Sequence, residues 1–406
     1  MRTMIALLTV LLLVGCTSTP ADAQETQSNM TKLVEANNEF TVDIYHRIAD
    51  DEDGNLFVSP FSINTALAMT TAGARGETAR QMRDVLNYTL PDEQLHPAFG
   101  ELLENLNQRQ EDAKYQLSVA NALWGQEGYD FLDAYLQLTR TNYGAGLRQV
   151  DFKANPEAVR QKINHWVADK TRDKIQDLMP KGSIKRLTRL VLTNAVYFKA
   201  RWANTFNENA TREKPFTLLD GDEIGVPMMH QTDRFGYREA DGLKILQLPY
   251  VGHDLSMAIL LPDADDGLPA LEKKLTAERL AGWLDRVRSA RVRVMMPKFK
   301  LATKVMLGTT LRKMGMTDAF DSEAADFSGM NGRRDLFIQA AVHKAYVDVY
   351  EEGTEAAAAT GITVGVTSVM PEEPKVFEAD HPFLFLIRDN RTGAVLFIGR
   401  VLNPAE

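Results

Sequence analysis

The sequence predicts an α+β fold, on three observations. Helical periodicity fills most of the first half, runs of β-branched and aromatic residues dominate the second, and a few strands already interrupt the early helices. No internal repeat is visible. With 406 residues, 44% hydrophobic and 25% charged, the chain can bury a large core, and periodicity alone would divide it into two domains near residue 180. The formal charge of -9 argues against a nucleic-acid partner.

The chain starts with Arg2 and an apolar run from Met4 to Val14, too short to span a bilayer as a mature helix and typical of an export signal over residues 1–15. Leu13, Val14, Gly15 and Cys16 resemble the bacterial lipoprotein cleavage box, in which Cys16 becomes the lipidated first residue. Cys16 is the sole cysteine, so the folded domain has neither a disulfide nor thiol chemistry. Thr17 and Ser18 carry no acidic retention signal, which by that resemblance implies the outer membrane where one exists, with plain secretion as the alternative. Residues 16–28, small and polar, read as a flexible tether.

Order is expected to begin near Met30, with Leu33, Asn37, Phe40, Ile44 and Ile48 on one helix face. Residues 55–58 suit a short buried strand, and Pro60 opens a second helix, where its missing donor does no harm. Helices follow over 78–86, 94–107 and 131–139, with a strand over 115–124, and a charged-and-apolar helix spans 156–173. Residues 188–199 form a long strand. Beyond it come strands over 245–248, 255–261 and 291–296 and helices over 268–287 and 304–314. The basic group Lys181, Lys185, Arg186 and Arg189 reads as a solvated turn.

No enzyme signature is present. The sequence lacks G-x-S-x-G, H-E-x-x-H, a phosphate-binding loop and a Cys-His pair, and the seven histidines have no metal-ligand spacing. We therefore expect no catalytic residue, no metal and no cofactor.

The distinctive stretch is 343–371. Val342, Tyr346, Val347, Val349 and Tyr350 mark a half-buried strand, which Glu351, Glu352 and Gly353 end. From Ala356 to Met370 there is no charge, no proline and no aromatic residue. A surface loop would carry Asp, Asn, Pro or Lys, and a core strand would carry bulk on alternate positions. Small uncharged residues without proline can instead lie in solvent and later join a sheet, because no ladder donor is missing and no charge must be buried. A flexible Ala/Gly linker has the same composition.

The stretch HKAYVDVYEEGTEAAAAT, followed by ADHPFLFLIRDNRTGAVLFIGRVLNP, resembles the reactive-loop hinge and C-terminal strands of the serpin family. FVSPFSI at 57–63, LTNAVYFKARW at 192–202, MPKFKL at 296–301 and HPF at 381–383 match in the family's order, so the resemblance covers 29–406. It implies one domain of three β-sheets ringed by about eight or nine helices, with an exposed reactive-centre loop over about 353–376. It also implies a hinge at Glu351, Glu352, Gly353, Thr354, Glu355, Ala356, Ala357, Ala358, Ala359 and Thr360. Ser59, Ser62, Asn194 and His343 would form a polar shutter beneath the main sheet, and Trp202 would sit at the breach where insertion begins. On insertion Thr354, Ala356, Ala358 and Thr360 would face one side and Glu355, Ala357, Ala359 and Gly361 the other.

By the same resemblance the protein is a monomeric suicide inhibitor of serine, or cysteine, endopeptidases. Family spacing places the reactive bond at Thr367-Ser368, while the longer stretch between Gly353 and Pro382 leaves Val366 and Met370 as rivals. Between Gly353 and Lys375 the loop has no Arg or Lys, so the expected targets are elastase-like, subtilisin-like or cysteine proteases rather than trypsin-like ones. The competing expectation is a binding protein that keeps the fold without trapping a protease. Its only membrane contact would be the lipid on Cys16.

Overall fold

A computed structural model describes residues 20–111, 115–144, 147–354 and 373–406. Two sheets sandwich a helix that is buried along its whole length, Pro60–Thr71. Its residues are apolar or small on every face, so it has no side to offer to water. Ser59 caps it, its hydroxyl accepting the Ser62 N–H, and Pro60 sits in the first turn.

The six-stranded sheet runs, edge to edge, Phe299–Met306, Ala340–Tyr350, the two-residue Gly353–Thr354, Leu190–Arg201, Tyr115–Gln126 and Arg148–Val150. Its two central long strands are parallel and pair directly from Ala340 with Val191 to Tyr346 with Tyr197. Above that seam they diverge, and Gly353–Thr354 lies antiparallel between them. Leu190–Arg201 is buried on both faces, which is why its sequence is a continuous apolar run and not an alternation. One face meets the central helix. Over the other lie Pro156–Lys170 and the segment after it, which close a second core around Ile163, Val167, Ile175, Leu178, Val191 and Val342.

The larger sheet orders Leu56–Val58, Val395–Val401, Phe383–Asp389, Leu255–Pro262, Leu243–Pro249, Glu223–Ala240, Arg288–Pro297 and Lys375–Glu378, with Arg212–Thr217 also on Glu223–Ala240. The third sheet of the expected architecture is continuous with the second. The 18-residue strand Glu223–Ala240 pairs with Arg212–Thr217 at its start and with Leu243–Pro249 at its end, so it belongs to both. Phe57 stacks on Phe385 and Phe397, with ring centroids 5.8 and 5.0 Å away, at the junction of sheet and core.

Several boundaries differ from the sequence expectation. The first helix is Pro20–Ala49 and starts ten residues before Met30, so residues 20–28 are helical and not tether. The acidic Glu25, in the N-terminal part of the helix, favours that extension. The predicted helix 268–287 is two helices, Leu268–Lys274 and Ala277–Leu284, because Thr276 caps the second, accepting from the Arg279 N–H. Lys304 to Met306 extend a strand, paired through Met306 with Val342, before the helix Leu307–Lys313. Ten α-helices occur among the described residues, one of them the single turn Ser328–Asn331, against the eight or nine expected.

Candidate functional site: the seam of the six-stranded sheet

Two groups of residues occupy the seam, one midway along it and one where it opens. Midway, His343 and Asn194 are register partners across the parallel strands, and Asn121 faces Asn194 on the next strand. The His343 Nε2 accepts the Ser59 N–H at 3.2 Å, which makes Nδ1 the protonated nitrogen that donates to Asn194 Oδ1. Asn194 Nδ2 donates to Ser62 Oγ at 2.7 Å and to Asn121 Oδ1. Ser62 Oγ donates to Asn121 Oδ1 at 3.0 Å, and Ser59 Oγ donates to the Leu396 carbonyl at 2.8 Å. Ser59, Ser62, Asn194 and His343 are buried, and burial pushes the His343 imidazole down to about 3, so it is neutral at physiological pH.

The cluster joins three adjacent strands, the central helix and the second sheet through side-chain bonds, across the line where two strands also share backbone bonds. Polar bonds suit such a line. They can be exchanged for others if the strands part, whereas an apolar seam would expose its contacts outright. The structure brings together all four residues singled out from the sequence and adds Asn121. A signal for Asn121 existed: it is an amide set between Ala120 and Ala122 in the middle of the strand Tyr115–Gln126.

At the open end, the Tyr350 chain turns through Glu351 and Glu352 and re-enters the sheet at Gly353. The Trp202 N–H donates to the Glu352 carbonyl at 3.0 Å, and the Phe206 N–H donates to the Glu351 carbonyl at 2.8 Å. Trp202 Nε1 donates to the Tyr350 carbonyl at 3.0 Å, and its ring stacks on Tyr250 at 4.6 Å between centroids. Gly353 is required by close approach: a Cβ there would lie 2.1 Å from the Ala200 carbonyl oxygen. Thr354 is fully buried and its hydroxyl bonds the Tyr250 hydroxyl at 2.9 Å, which places this first small residue on the inward side.

Glu351 is buried with its carboxylate bound by Thr211 Oγ1 at 2.6 Å and by Lys298 Nζ at 2.9 Å. Burial alone would raise its pKa, but the bonds from Thr211 and Lys298 outweigh it and hold the group below the usual carboxylate range. Tyr250, Lys298 and Thr211 escaped the sequence reading because each lies far along the chain from the hinge. Glu355, Ala356, Ala357, Ala358, Ala359, Thr360, Val366, Thr367, Ser368, Met370 and Cys16 lie outside the described residues.

The family model described as serpin (serine protease inhibitor) matches residues 35–404. The chain belongs to the serpin family. The leukocyte elastase inhibitor of Equus caballus is 44% identical over 384 residues, covering 92% of this chain and all of that protein. A serpin-like protein of Thermococcus kodakarensis is 42% identical over 375 residues, covering 92% of this chain and 86% of its own. Among solved structures, a serpin described as highly specific in the insect Tenebrio molitor matches with a TM-score of 0.82 at 34% identity, covering 92% of this chain and 98% of that one. Uncleaved ovalbumin matches with a TM-score of 0.82 at 30% identity, over 92% of this serpin and all of ovalbumin.

Proposed function

We propose that this serpin is an irreversible, suicide-substrate inhibitor of serine endopeptidases, with cysteine endopeptidases as a second class. One observation carries the reading. Gly353–Thr354 is already lodged between Ala340–Tyr350 and Leu190–Arg201, and directly below it those strands close on each other. A cut beyond Thr354 frees the small residues that follow to continue into the seam as a new central strand. The protease, held as an acyl-enzyme on the residue before the cut, is carried with them and loses its active-site geometry before water completes hydrolysis.

Inserting a dozen or so residues adds roughly as many backbone hydrogen bonds at about 1 kcal/mol net each, on the order of the stability of a whole domain. The uncut sheet is then a kinetic trap, with the His343 cluster and the seam pairs among the contacts that hold it.

Three finer assignments accompany the proposal. The reactive bond is Thr367-Ser368, with Val366 and Met370 as rivals. The targets are elastase-like or subtilisin-like, supported by the lack of Arg or Lys between Gly353 and Lys375 and by the leukocyte elastase inhibitors among the relatives. Residues 1–15 direct export and Cys16 carries a lipid that holds the protein to the cell envelope. The deciding experiment is incubation with a pancreatic or neutrophil-type elastase. An SDS-resistant adduct at the summed mass, and a large rise in melting temperature after loop cleavage, are expected; cleavage with neither would leave the fold acting as a binding protein.

A further inference from the structure

The outer face of the six-stranded sheet, turned away from the central helix, carries a row of lysines where the edge strand Phe299–Met306 pairs with Ala340–Tyr350. Leu301 and Val305 are buried, so Lys300, Ala302 and Lys304 point outward, and across the ladder they meet Asp348, Tyr346 and Lys344 in that order. Lys304 and Lys344 are thus like charges directly opposite each other, an arrangement that costs stability. Burial first, and the Lys344 charge second, hold Lys304 below the usual lysine pKa. Each of the two donates one bond, at 3.2 Å, to the segment after Pro156–Lys170: Lys304 to the Asp177 carbonyl and Lys344 to the Gln176 carbonyl. Two more ammonium groups approach the Tyr346 ring, Lys300 at 5.5 Å and Lys174 at 5.7 Å from its centroid. Among the described residues no carboxylate is in ion-pair reach of Lys300, Lys304 or Lys344. Asp348, beside them, accepts from the Tyr346 hydroxyl at 3.3 Å.

We propose that this row binds a linear polyphosphate, with one phosphate between Lys304 and Lys344 and the chain running on to Lys300 and Lys174. An ammonium group is a compact charge with two donors to spare after one carbonyl bond, and phosphate oxygens suit it. The row is longer than a single oxyanion. Facing Cα atoms across the ladder are about 5 Å apart, whereas Lys300 lies four residues from Lys304 along the strand, about 13 Å away. A chain with a charge on every unit meets both spacings, and the small, exposed Ala302 leaves the floor between them open. Nucleic acid is the wrong polyanion, because the Tyr346 ring is 8% exposed with two ammonium groups over it, so no base can stack there.

The occupant would join three parts of the chain: the edge strand, the strand Ala340–Tyr350 and the segment that carries Lys174, Gln176 and Asp177. It also neutralises the facing charges of Lys304 and Lys344, so it stabilises the folded, uncut protein. The binding does not depend on protease inhibition.

The test is titration of the purified full chain with fluorescein-labelled polyphosphate at low salt, read by anisotropy and by thermal melts. Saturable binding is expected, with a melting temperature that rises with ligand and a log K that falls with log salt at a slope of about −3 for four lysines. Lys304→Gln with Lys344→Gln should weaken binding at least tenfold while the ligand-free melting temperature stays the same or rises, because the facing charges are gone. Lys300→Gln, on the exposed edge, should weaken it about threefold. Lys181→Gln with Lys185→Gln, in the basic turn, should bind as wild type does. Orthophosphate should displace the probe at least tenfold less well per phosphate than unlabelled chain. Absence of saturable binding, full binding by the Lys304 and Lys344 variant, loss of binding in the turn variant, or equal displacement by orthophosphate overturns the site. A sulfated dextran that competes as tightly as polyphosphate overturns the choice of phosphate.

Discussion

Replacing Thr354 by arginine tests the insertion mechanism most directly. Thr354 is fully buried, its ladder partners are Val349 and Ala200, and its hydroxyl is matched to Tyr250. The nearby carboxylate, Glu351, is already engaged by Lys298 and Thr211. In the uncut variant the two-residue strand Gly353–Thr354 is expected to leave the sheet and keep the guanidinium in water, whereas insertion must bury that charge without a partner, a penalty of several kcal/mol. If about 4 kcal/mol of it falls on the barrier to insertion, insertion slows by about a thousandfold. Deacylation is untouched, because the substitution is remote from the cut bond, so hydrolysis wins the race and the inhibitor becomes a substrate. The assay is titration of an elastase with wild type, T354S and T354R, read by residual activity and by SDS electrophoresis. Wild type and T354S should form the adduct, while T354R should yield only cleaved serpin. A T354R protein that forms the SDS-resistant adduct at the wild-type stoichiometry would refute the reasoning.

Three further outcomes follow from the same geometry. Lys298→Ala should lower the melting temperature more than Glu351→Gln, because it strands a buried carboxylate with Thr211 as its one side-chain donor, whereas the amide keeps its size and releases a half-exposed lysine to water. We expect about 1–2 kcal/mol against less than about 1 kcal/mol, and the reverse order in thermal melts would be the contrary result. The His343 pKa is depressed in the fold, so its contribution to stability is complete above about pH 6.5 and drains away at about 1.4 kcal/mol per pH unit as the pH falls toward 3. Urea midpoints between pH 7 and 4 should show a shallower acid loss in His343→Gln, and an unchanged slope would exclude this source. Finally, radiolabelled palmitate should incorporate into the expressed wild type and not into Cys16→Ala; equal labelling of both removes the anchor.

The sequence made the α+β class, the buried helix at Pro60 and the long strands legible because each rests on local periodicity or on proline chemistry. It misplaced what tertiary pairing decides. Lys304 to Met306 carry a helical pattern yet join a ladder with Val342, and the hairpin of Arg212–Thr217 with Glu223–Ala240 is half-exposed and charged, so no alternation announced it. At the seam, the serines, Asn194 and His343 came from resemblance, and hydrogen-bond geometry then supplied Asn121. Thr211 and Tyr250 meet the hinge only through folding, since nothing in their own neighbourhoods distinguishes them from ordinary turn or strand residues, and Lys298, although inside the MPKFKL match at 296–301, is tied to Glu351 only by tertiary contact.

The two ends of residues 355–372 are fixed in different sheets: Thr354 in the six-stranded one and Lys375–Glu378 beside Arg288–Pro297 in the other. Everything after a cut in that interval, including the fully buried Phe383, Phe385 and Ile398, stays embedded in the larger sheet although no peptide bond joins it to the rest. With Cys16 as the sole cysteine, no disulfide joins it either. A nicked molecule would therefore travel as one particle but be a two-chain complex. Once unfolded, it could be rebuilt only by a bimolecular encounter that depends on dilution, so each copy is consumed in a single use and cannot be reset.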